Sequence, residues 1–237
     1  MKLKKIASLA LAGVMAVSML AGCSTTSVEP TPTPNPDEDN TQVSGYSQML
    51  YNQLGYSAKK KVTAEDSSAV NQALETAMGY AAGNTIANSY DWFINGDTNV
   101  VNADWTAWGT AAFAPASLVN GADALINALS AQNATTQTIS QTFDVLDPVN
   151  DWDNSRKIAM LFVADGQKGM NAVMDEIADM INREVETLQD DYDSNQWITD
   201  NMDTDYDYTM SVAADTITLD ADHGKSMTFV AVEITRI

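Results

Sequence analysis

The chain has 237 residues, 45% of them hydrophobic and 8% aromatic, and a formal net charge of −20 from 12 basic and 32 acidic side chains. Such a charge opposes binding to nucleic acid, which is itself strongly negative, so nucleic-acid partners are not expected. Five Trp, eight Tyr and five Phe can build a packed core, so the acidity does not indicate disorder. A single cysteine excludes an internal disulfide and a cysteine-built zinc site.

The first residues have the pattern of an export signal. Three lysines among the first five residues precede a nearly unbroken apolar stretch from Ile6 to Met19. At about fourteen residues this stretch is too short to span a bilayer, which takes roughly 20. A positive start followed by a short apolar segment is typical of a secretory signal that is removed from the mature protein.

A large apolar residue, two small residues and a cysteine follow the apolar stretch as Leu20-Ala21-Gly22-Cys23. This motif resembles the lipobox of bacterial lipoprotein precursors, and the whole chain is similar to Gram-positive surface lipoproteins that have no assigned function. The resemblance implies that residues 1–22 are cleaved off and that Cys23 carries a palmitate-type lipid. It also implies an anchor on the extracytoplasmic face of the cell membrane. A secreted protein with an unlipidated cysteine is the alternative.

Residues 23–44 are predicted to form an extended tether behind the lipid. Four prolines alternate with Thr and Asn between Pro30 and Pro36, which favours polyproline II, and Asp37-Glu38-Asp39 adds charge repulsion. At roughly 3 Å per residue, about 20 residues could hold a domain about 60 Å from the membrane. Residues 45–237 are predicted to form a single globular domain, since about 190 residues lie in the usual single-domain range.

The first two-thirds of this domain show the helical spacing of apolar residues. One helix is expected after a loose capping signal at residues 63–66, and another after Ser117 as its N-cap. A shorter stripe is stopped by Pro148. Residues 85–93 fit a strand and a helix about equally. The apolar positions of the three stripes are Val70, Leu74, Ala77, Met78 and Ala81; Leu118, Ala122, Leu125, Ile126 and Leu129; and Ile139, Phe143 and Leu146.

The apolar run Ile158–Val163 is grouped with these helices and is expected to end at Gly166. The most regular pattern of the chain follows over residues 170–188. Apolar residues occupy one side of the helical wheel and mostly acidic ones the other, which predicts a buried amphipathic helix. Its apolar positions are Met170, Val173, Met174, Ile177, Met180, Ile181, Val185 and Leu188.

The end of the chain has the period of strands. Apolar and polar residues alternate over Tyr208–Ala214 and then, from Ile217, in the opposite phase, so a bulge is expected near Asp215. Residues 220–226 have turn composition, and a second strand is expected over Met227–Ile237. A lone hairpin is unstable, so this one must meet further structure. The predicted class is α+β, mostly helical, with a C-terminal antiparallel β-hairpin packed on or joined to the helical part.

An acidic stretch connects the last helix to the hairpin, with carboxylates at alternate positions as at the start of a calcium-binding loop. Two registers fit, and their candidate metal ligands are Asp191, Asp193, Asn195, Asp203, Asp205 and Asp207. Both registers then depart from the calcium loop, with Gln196 or Tyr208 in place of the turn glycine and Met202 or Ala214 in place of the closing glutamate. A solvated acidic connection is therefore favoured over calcium binding.

Residue types that carry catalysis are scarce. The one histidine, His223, falls in the predicted turn, so a Ser-His-Asp triad has no support, and neither catalytic residues nor a cofactor are assigned. Cys23 would be lipidated and could not act as a nucleophile. The spacing of four further aromatic residues favours positions in the core, and the alternative is a stacking surface for a sugar or a protein. These are Trp92, Phe93, Trp105 and Trp108.

These observations favour a lipid-anchored, surface-displayed binding or interaction module, with a protein or a glycan as its ligand. A carboxylate-based hydrolase acting on cell wall or glycan is the first alternative, and a cleft with two facing acids would support it. A calcium-stabilised structural protein is the second alternative, and oxygen ligands converging near Asp203 would support that one.

Overall fold

The computed structural model describes residues 45–81, 100–103, 116–133, 138–148, 155–193, 203–220 and 225–237. All of them fall within one compact unit of the chain, Thr41–Ile237. The signal, the tether and residues 85–93, predicted as strand or helix, lie outside these ranges. None of the helices in the described ranges has the length and apolar character needed to cross a bilayer.

The described ranges contain five α-helices, two short 3₁₀ helices at Ala58–Lys60 and Asp144–Leu146, and seven strands. The α-helices are α1 (Tyr46–Gln53), α2 (Ser68–Ala81), α3 (Ala116–Leu129), α4 (Ile139–Phe143) and α5 (Met170–Glu186). The strands are β1 (Thr63–Ala64), β2 (Val100–Asn102), β3 (Arg156–Asp165), β4 (Asp191–Asp193), β5 (Asp203–Asp205), β6 (Tyr208–Asp220) and β7 (Lys225–Arg236).

The strands form a five-stranded sheet in the order β1-β6-β7-β3-β2, while β4 and β5 pair separately. β1 runs parallel to β6, and the other neighbours in the sheet are antiparallel. The α+β class is therefore confirmed, and the predicted hairpin is present as β6 and β7. This hairpin is joined to further strands, because β3 pairs with β7 over the whole length of β3.

Helices cover both faces of this sheet, which gives the unit two hydrophobic cores. The α5 face of the sheet packs against α1, α4 and α5, and the α2–α3 face packs against α2 and α3. The predicted amphipathic helix is confirmed as α5, whose apolar stripe is buried on the sheet. The stripes predicted around Leu74 and Leu125 are confirmed in the same way as α2 and α3.

The apolar run Ile158–Val163, grouped with the helices from its sequence, is instead the central part of strand β3. Alternate residues point to the two faces of a strand, and here both faces are buried. Ile158 and Met160 lie in the core on the α5 face, whereas Ala159 and Leu161 lie in the core on the α2–α3 face. A continuous apolar run is typical of a strand buried on both sides.

The bulge predicted near Asp215 is absent. β6 keeps its register with β7 from Tyr208 to Thr218, and the register shifts only between Thr218 and Asp220. The two phases of apolar residues have another cause. Tyr208 and its alternate neighbours pack on the α5 face, whereas Ile217 packs on the α2–α3 face. Both phases can be apolar because both faces are covered.

Two helix starts also differ from the sequence prediction. Thr63 and Ala64, predicted as part of a cap, form the short edge strand β1, and the Oγ of Ser67 accepts a hydrogen bond from the Val70 N–H at 3.4 Å. α3 begins at Ala116, so Ser117 lies within its first turn.

The edge strands β1 and β2 are short, and beyond their ends side chains bond to the backbone of the neighbouring strands β6 and β3. The Oγ of Ser47 accepts from the Val212 N–H at 2.8 Å and donates to the Glu65 C=O at 3.1 Å, which ties α1 to β6. At the opposite edge, the amide of Asn133 accepts from the Ala159 N–H at 2.9 Å and donates to its C=O at 2.7 Å. These bonds satisfy backbone groups that a longer neighbouring strand would otherwise bind.

Candidate functional site

The acidic candidates come together in a ribbon formed by β4 and β5, which we call the acidic ribbon. Asp191 pairs with Asp205, and Asp193 pairs with Asp203. The two registers proposed from the sequence therefore face each other, which the spacing within each register does not reveal. Like charges at directly opposite positions destabilise a β-ladder.

The remaining candidates are not part of this ribbon. The backbone of Asp207 pairs with that of Ile237 in both directions, at 2.9 and 3.3 Å, and its side chain is exposed. Asn195 lies outside the described residues, as do Cys23, His223 and the four aromatic residues around Trp92 and Trp105. Within the described ranges, no group of three or more His, Cys, Asp or Glu residues is arranged to hold a metal ion.

In the described part of the chain, both carboxylate oxygens of Asp66 are buried, and a second buried acid is Glu233. Its Oε2 lies 3.1 Å from the Nζ of Lys157, whose side chain is 33% exposed, and Ser211 is its cross-strand neighbour on β6. Glycoside hydrolysis by carboxylates needs a second acid facing the first across the scissile bond. Glu233 is paired with a lysine instead.

A second buried polar cluster lies at the end of β6 and β7. Arg236 is 0% exposed, donates from Nη1 to the Leu146 C=O at 2.7 Å, and lies 4.8 Å from the ring centre of Tyr206. The neighbouring Tyr208 hydroxyl donates to the Gln189 C=O at 2.8 Å. Burial raises the pKa of Tyr208 to about 12, although the positive charge of Arg236 acts in the opposite direction.

A cavity of about 80 Å³ adjoins this cluster, between the end of α5 and the turn that follows α4. Its walls include Phe143, Leu146, Asp147 and Leu188. A water molecule takes about 30 Å³ of liquid volume, so this cavity suits a few waters rather than an organic ligand.

The larger concavity is a groove of about 560 Å³ between the outer sides of α2 and α3, which we call the α2–α3 groove. Its volume lies within the range of small-molecule sites. Seven side chains line it: Thr76, Tyr80, Asn120, Asp123, Ala124, Asn127 and Ala128.

The groove results from the distribution of side chains between the inner and outer sides of α2 and α3. The inner sides of α2 and α3 are apolar and pack on the sheet through residues such as Leu74 and Leu125. On the outer side, α3 presents Ala124 and Ala128, whose side chains are too short to fill the space opposite Tyr80. Tyr80 is one turn after Thr76 on α2, and its side chain is 62% exposed.

Polar side chains form a row along the α3 wall of the groove. Asn120, Asp123 and Asn127 recur at intervals of three and four residues, so they share one side of the helix. With a rise of 1.5 Å per residue, the row is about 10 Å long. Among the described residues, these three side chains take part in no hydrogen bond. All three residues are exposed.

The sequence analysis did not select the groove residues. Tyr80 does carry a usable signal, because it is a large aromatic residue on the polar side of an otherwise amphipathic helix. The pairing of α2 with α3, however, joins segments 40 and more residues apart and leaves no local pattern. No protein-family model, no curated protein and no solved structure matches the chain.

Proposed function

We propose that the protein is a lipid-anchored binding module displayed on the extracytoplasmic face of a membrane, with the α2–α3 groove as its ligand site. The observation that carries the proposal is the groove, which combines an exposed aromatic ring with a row of polar side chains that have no partner among the described residues. Concave surfaces with an aromatic wall and a few convergent polar groups are typical of small-ligand sites.

The N-terminal sequence supports the anchored location. The lipobox-like motif provides one cysteine for the lipid, and the tether separates that cysteine from Tyr46, the first residue of α1. An extended tether of about 20 residues would let the groove meet ligands at some distance from the bilayer. Display in front of the membrane suits a receptor or capture module.

The anchor is tested by the substitution Cys23→Ala. Only cysteine provides the thiol for thioether attachment of lipid, and two acyl chains hold a protein stably on a membrane, since each buried methylene contributes about 0.8 kcal/mol. We expect wild-type protein in the membrane fraction, with lipid mass on its first residue. The variant should be uncleaved or released into the medium.

The matched control is Ser24→Ala, which changes the neighbouring residue and leaves the motif intact. It should fractionate with the wild type. Wild-type protein found entirely in the medium, without lipid on Cys23, would contradict the anchored location and leave a secreted protein.

A carboxylate-based hydrolase is the competing enzymatic proposal. The buried Glu233 is paired with Lys157 rather than with a second carboxylate. Among the described residues that line the α2–α3 groove, Asp123 is the one acid. Both arrangements support binding better than acid–base hydrolysis, which uses two carboxyl groups.

The acidic ribbon favours the second competing proposal, a calcium-stabilised structural protein, because β4 and β5 bring four aspartates to paired backbone positions. We nevertheless expect millimolar calcium to stabilise the protein by less than about 1 kcal/mol beyond sodium chloride of equal ionic strength. Both registers lack the turn glycine and the closing glutamate on which calcium affinity depends.

Thermal unfolding with and without calcium provides the measurement. Stabilisation of about 3 kcal/mol beyond the salt control would require free calcium at more than a hundred times its dissociation constant. That result would establish the acidic ribbon as a metal site.

A further inference from the structure

We propose that the α2–α3 groove binds an uncharged glycan, by stacking a sugar ring on Tyr80 and hydrogen-bonding its hydroxyls to the row Asn120, Asp123 and Asn127. This inference rests on the proposed function, since it names the ligand of the same groove. It is carried by the ring, the polar row and the absence of a basic residue among the seven side chains of the lining.

The aromatic wall is the first part of the argument. Tyr80 is among the few large apolar side chains of the described residues that are exposed, and it lines the α2–α3 groove. Sugar rings present one apolar side made of C–H groups, which packs on an aromatic face. The Tyr80 hydroxyl remains at the rim, where it can bond to water or to a sugar hydroxyl.

The polar row is the second part. The two asparagine amides each offer donors and acceptors, whereas the Asp123 carboxylate is an acceptor only. Sugar hydroxyls also donate and accept, so they can satisfy all three side chains. An apolar helix or an acyl chain in the groove would instead leave these groups desolvated without partners, which is costly.

The charge of the groove is the third part. Asp123 is the one charged side chain among the described residues of the lining, and the whole chain has a formal net charge of −20. Phosphorylated, sulfated and uronic-acid ligands are repelled by such a surface. A row about 10 Å long exceeds a single sugar ring, so the ligand is an oligosaccharide.

The experiment is a calorimetric titration of the full chain with four neutral tetrasaccharides, chitotetraose, cellotetraose, maltotetraose and xylotetraose. Tetragalacturonate provides an anionic probe of similar length, and a pool of uncharged extended peptides provides a non-glycan probe. We expect saturable binding of at least one neutral tetrasaccharide and none of tetragalacturonate.

Three groove variants test where the sugar lies. Tyr80→Ala removes the stacking ring and should weaken binding about tenfold or more, whereas Tyr80→Phe keeps the ring and should bind within about threefold of the wild type. Ala128→Leu fills the floor of the groove without removing a polar group, and it should also weaken binding about tenfold.

Each variant has a matched control elsewhere on the surface. Tyr56→Ala removes a tyrosine that is 76% exposed, and Ala172→Leu makes the same change at an exposed position of α5. Both controls should bind as the wild type does. Unfolding midpoints of all five variants should stay close to that of the wild type, because each substituted residue is exposed.

The possible outcomes distinguish a wrong ligand class from a wrong location of the binding site. If peptides or tetragalacturonate bind in a Tyr80-dependent manner and neutral sugars do not, the glycan assignment is overturned while the groove remains the binding site. If a neutral sugar binds equally to Tyr80→Ala and Ala128→Leu, the site lies elsewhere and the assignment to this groove is overturned. Absence of any binding overturns both the glycan and the proposed function of the groove.

Discussion

Substituting Arg236 by alanine should reduce the free energy of unfolding by about 3–5 kcal/mol. The Arg236 side chain is completely buried, so its removal leaves a cavity in the base of the core. It also leaves the Leu146 C=O without its charged donor and the Tyr206 ring without its cation. Domains of this size are stable by only about 5–15 kcal/mol, so the loss is a large share of the total.

Urea denaturation at constant m-value measures this effect, and Arg183→Ala is its control. Arg183 lies on the exposed side of α5, where removal of a charge should change stability by less than about 0.5 kcal/mol. Arg236→Met restores the side-chain volume without the hydrogen bond, and its free energy of unfolding should lie between those of Arg236→Ala and the wild type. Equal stabilities of Arg236→Ala and Arg183→Ala would show that the cluster around Arg236 does not stabilise the fold.

Raising the pH from 10 to 12 should destabilise the protein by about 2 kcal/mol through Tyr208 alone. In the unfolded chain this phenol ionises near its ordinary pKa of 10.0, whereas in the folded protein burial raises its pKa to about 12. Below pH 10 both states keep the proton, and the stabilisation is complete. Between pH 10 and 12 the unfolded state loses its proton first, so stability is lost as the pH rises.

The difference between wild type and Tyr208→Phe isolates this contribution from other groups that titrate at high pH. The variant loses the hydrogen bond to the Gln189 C=O, which should cost about 1 kcal/mol at neutral pH, but its stability should fall less steeply above pH 10. Tyr56→Phe, at an exposed position, should keep the wild-type slope. Parallel slopes for wild type and Tyr208→Phe would contradict a raised pKa at Tyr208.

The helices of this protein are predictable where one side faces a core and the other faces water. α5 is the clearest case, since acidic residues such as Asp175 and Asp179 alternate with a buried stripe at helical spacing. The hairpin is predictable for a similar reason, because β6 alternates apolar and polar residues near Tyr208 and a turn composition follows it. In each case the prediction depends on the local spacing of apolar residues.

Strand β3 was missed because its environment has no polar side. With both faces buried, Ile158–Val163 shows neither the period of a strand nor that of a helix. The change of phase at Ile217 led to the wrong prediction of a bulge near Asp215 for the same reason. Prediction from alternating apolar residues assumes one buried face, whereas this sheet is covered by helices on both faces.

The arrangement of the candidate sites could not be predicted, because it depends on strand register and on the pairing of distant segments. The positions of Asp191 and Asp205 are each visible in the sequence, but their facing arrangement depends on how β4 pairs with β5. In the same way, Tyr80 and Asn127 belong to different helices and become neighbours only when α2 and α3 pack on the sheet. Local composition contains neither relation.

The order of the strands also governs when this protein can fold as it is made. Ser47 bonds to a residue 165 positions later, and Leu146 to one 90 positions later. β7 is a central strand, so a chain that emerges amino end first, from a ribosome or a membrane channel, cannot close the sheet before residues 225–236 have appeared. Until then the apolar sides of α2, α3 and α5 have no sheet to cover. The topology thus postpones closure of the sheet until β7 has emerged, which keeps the preceding chain able to pass through a narrow channel.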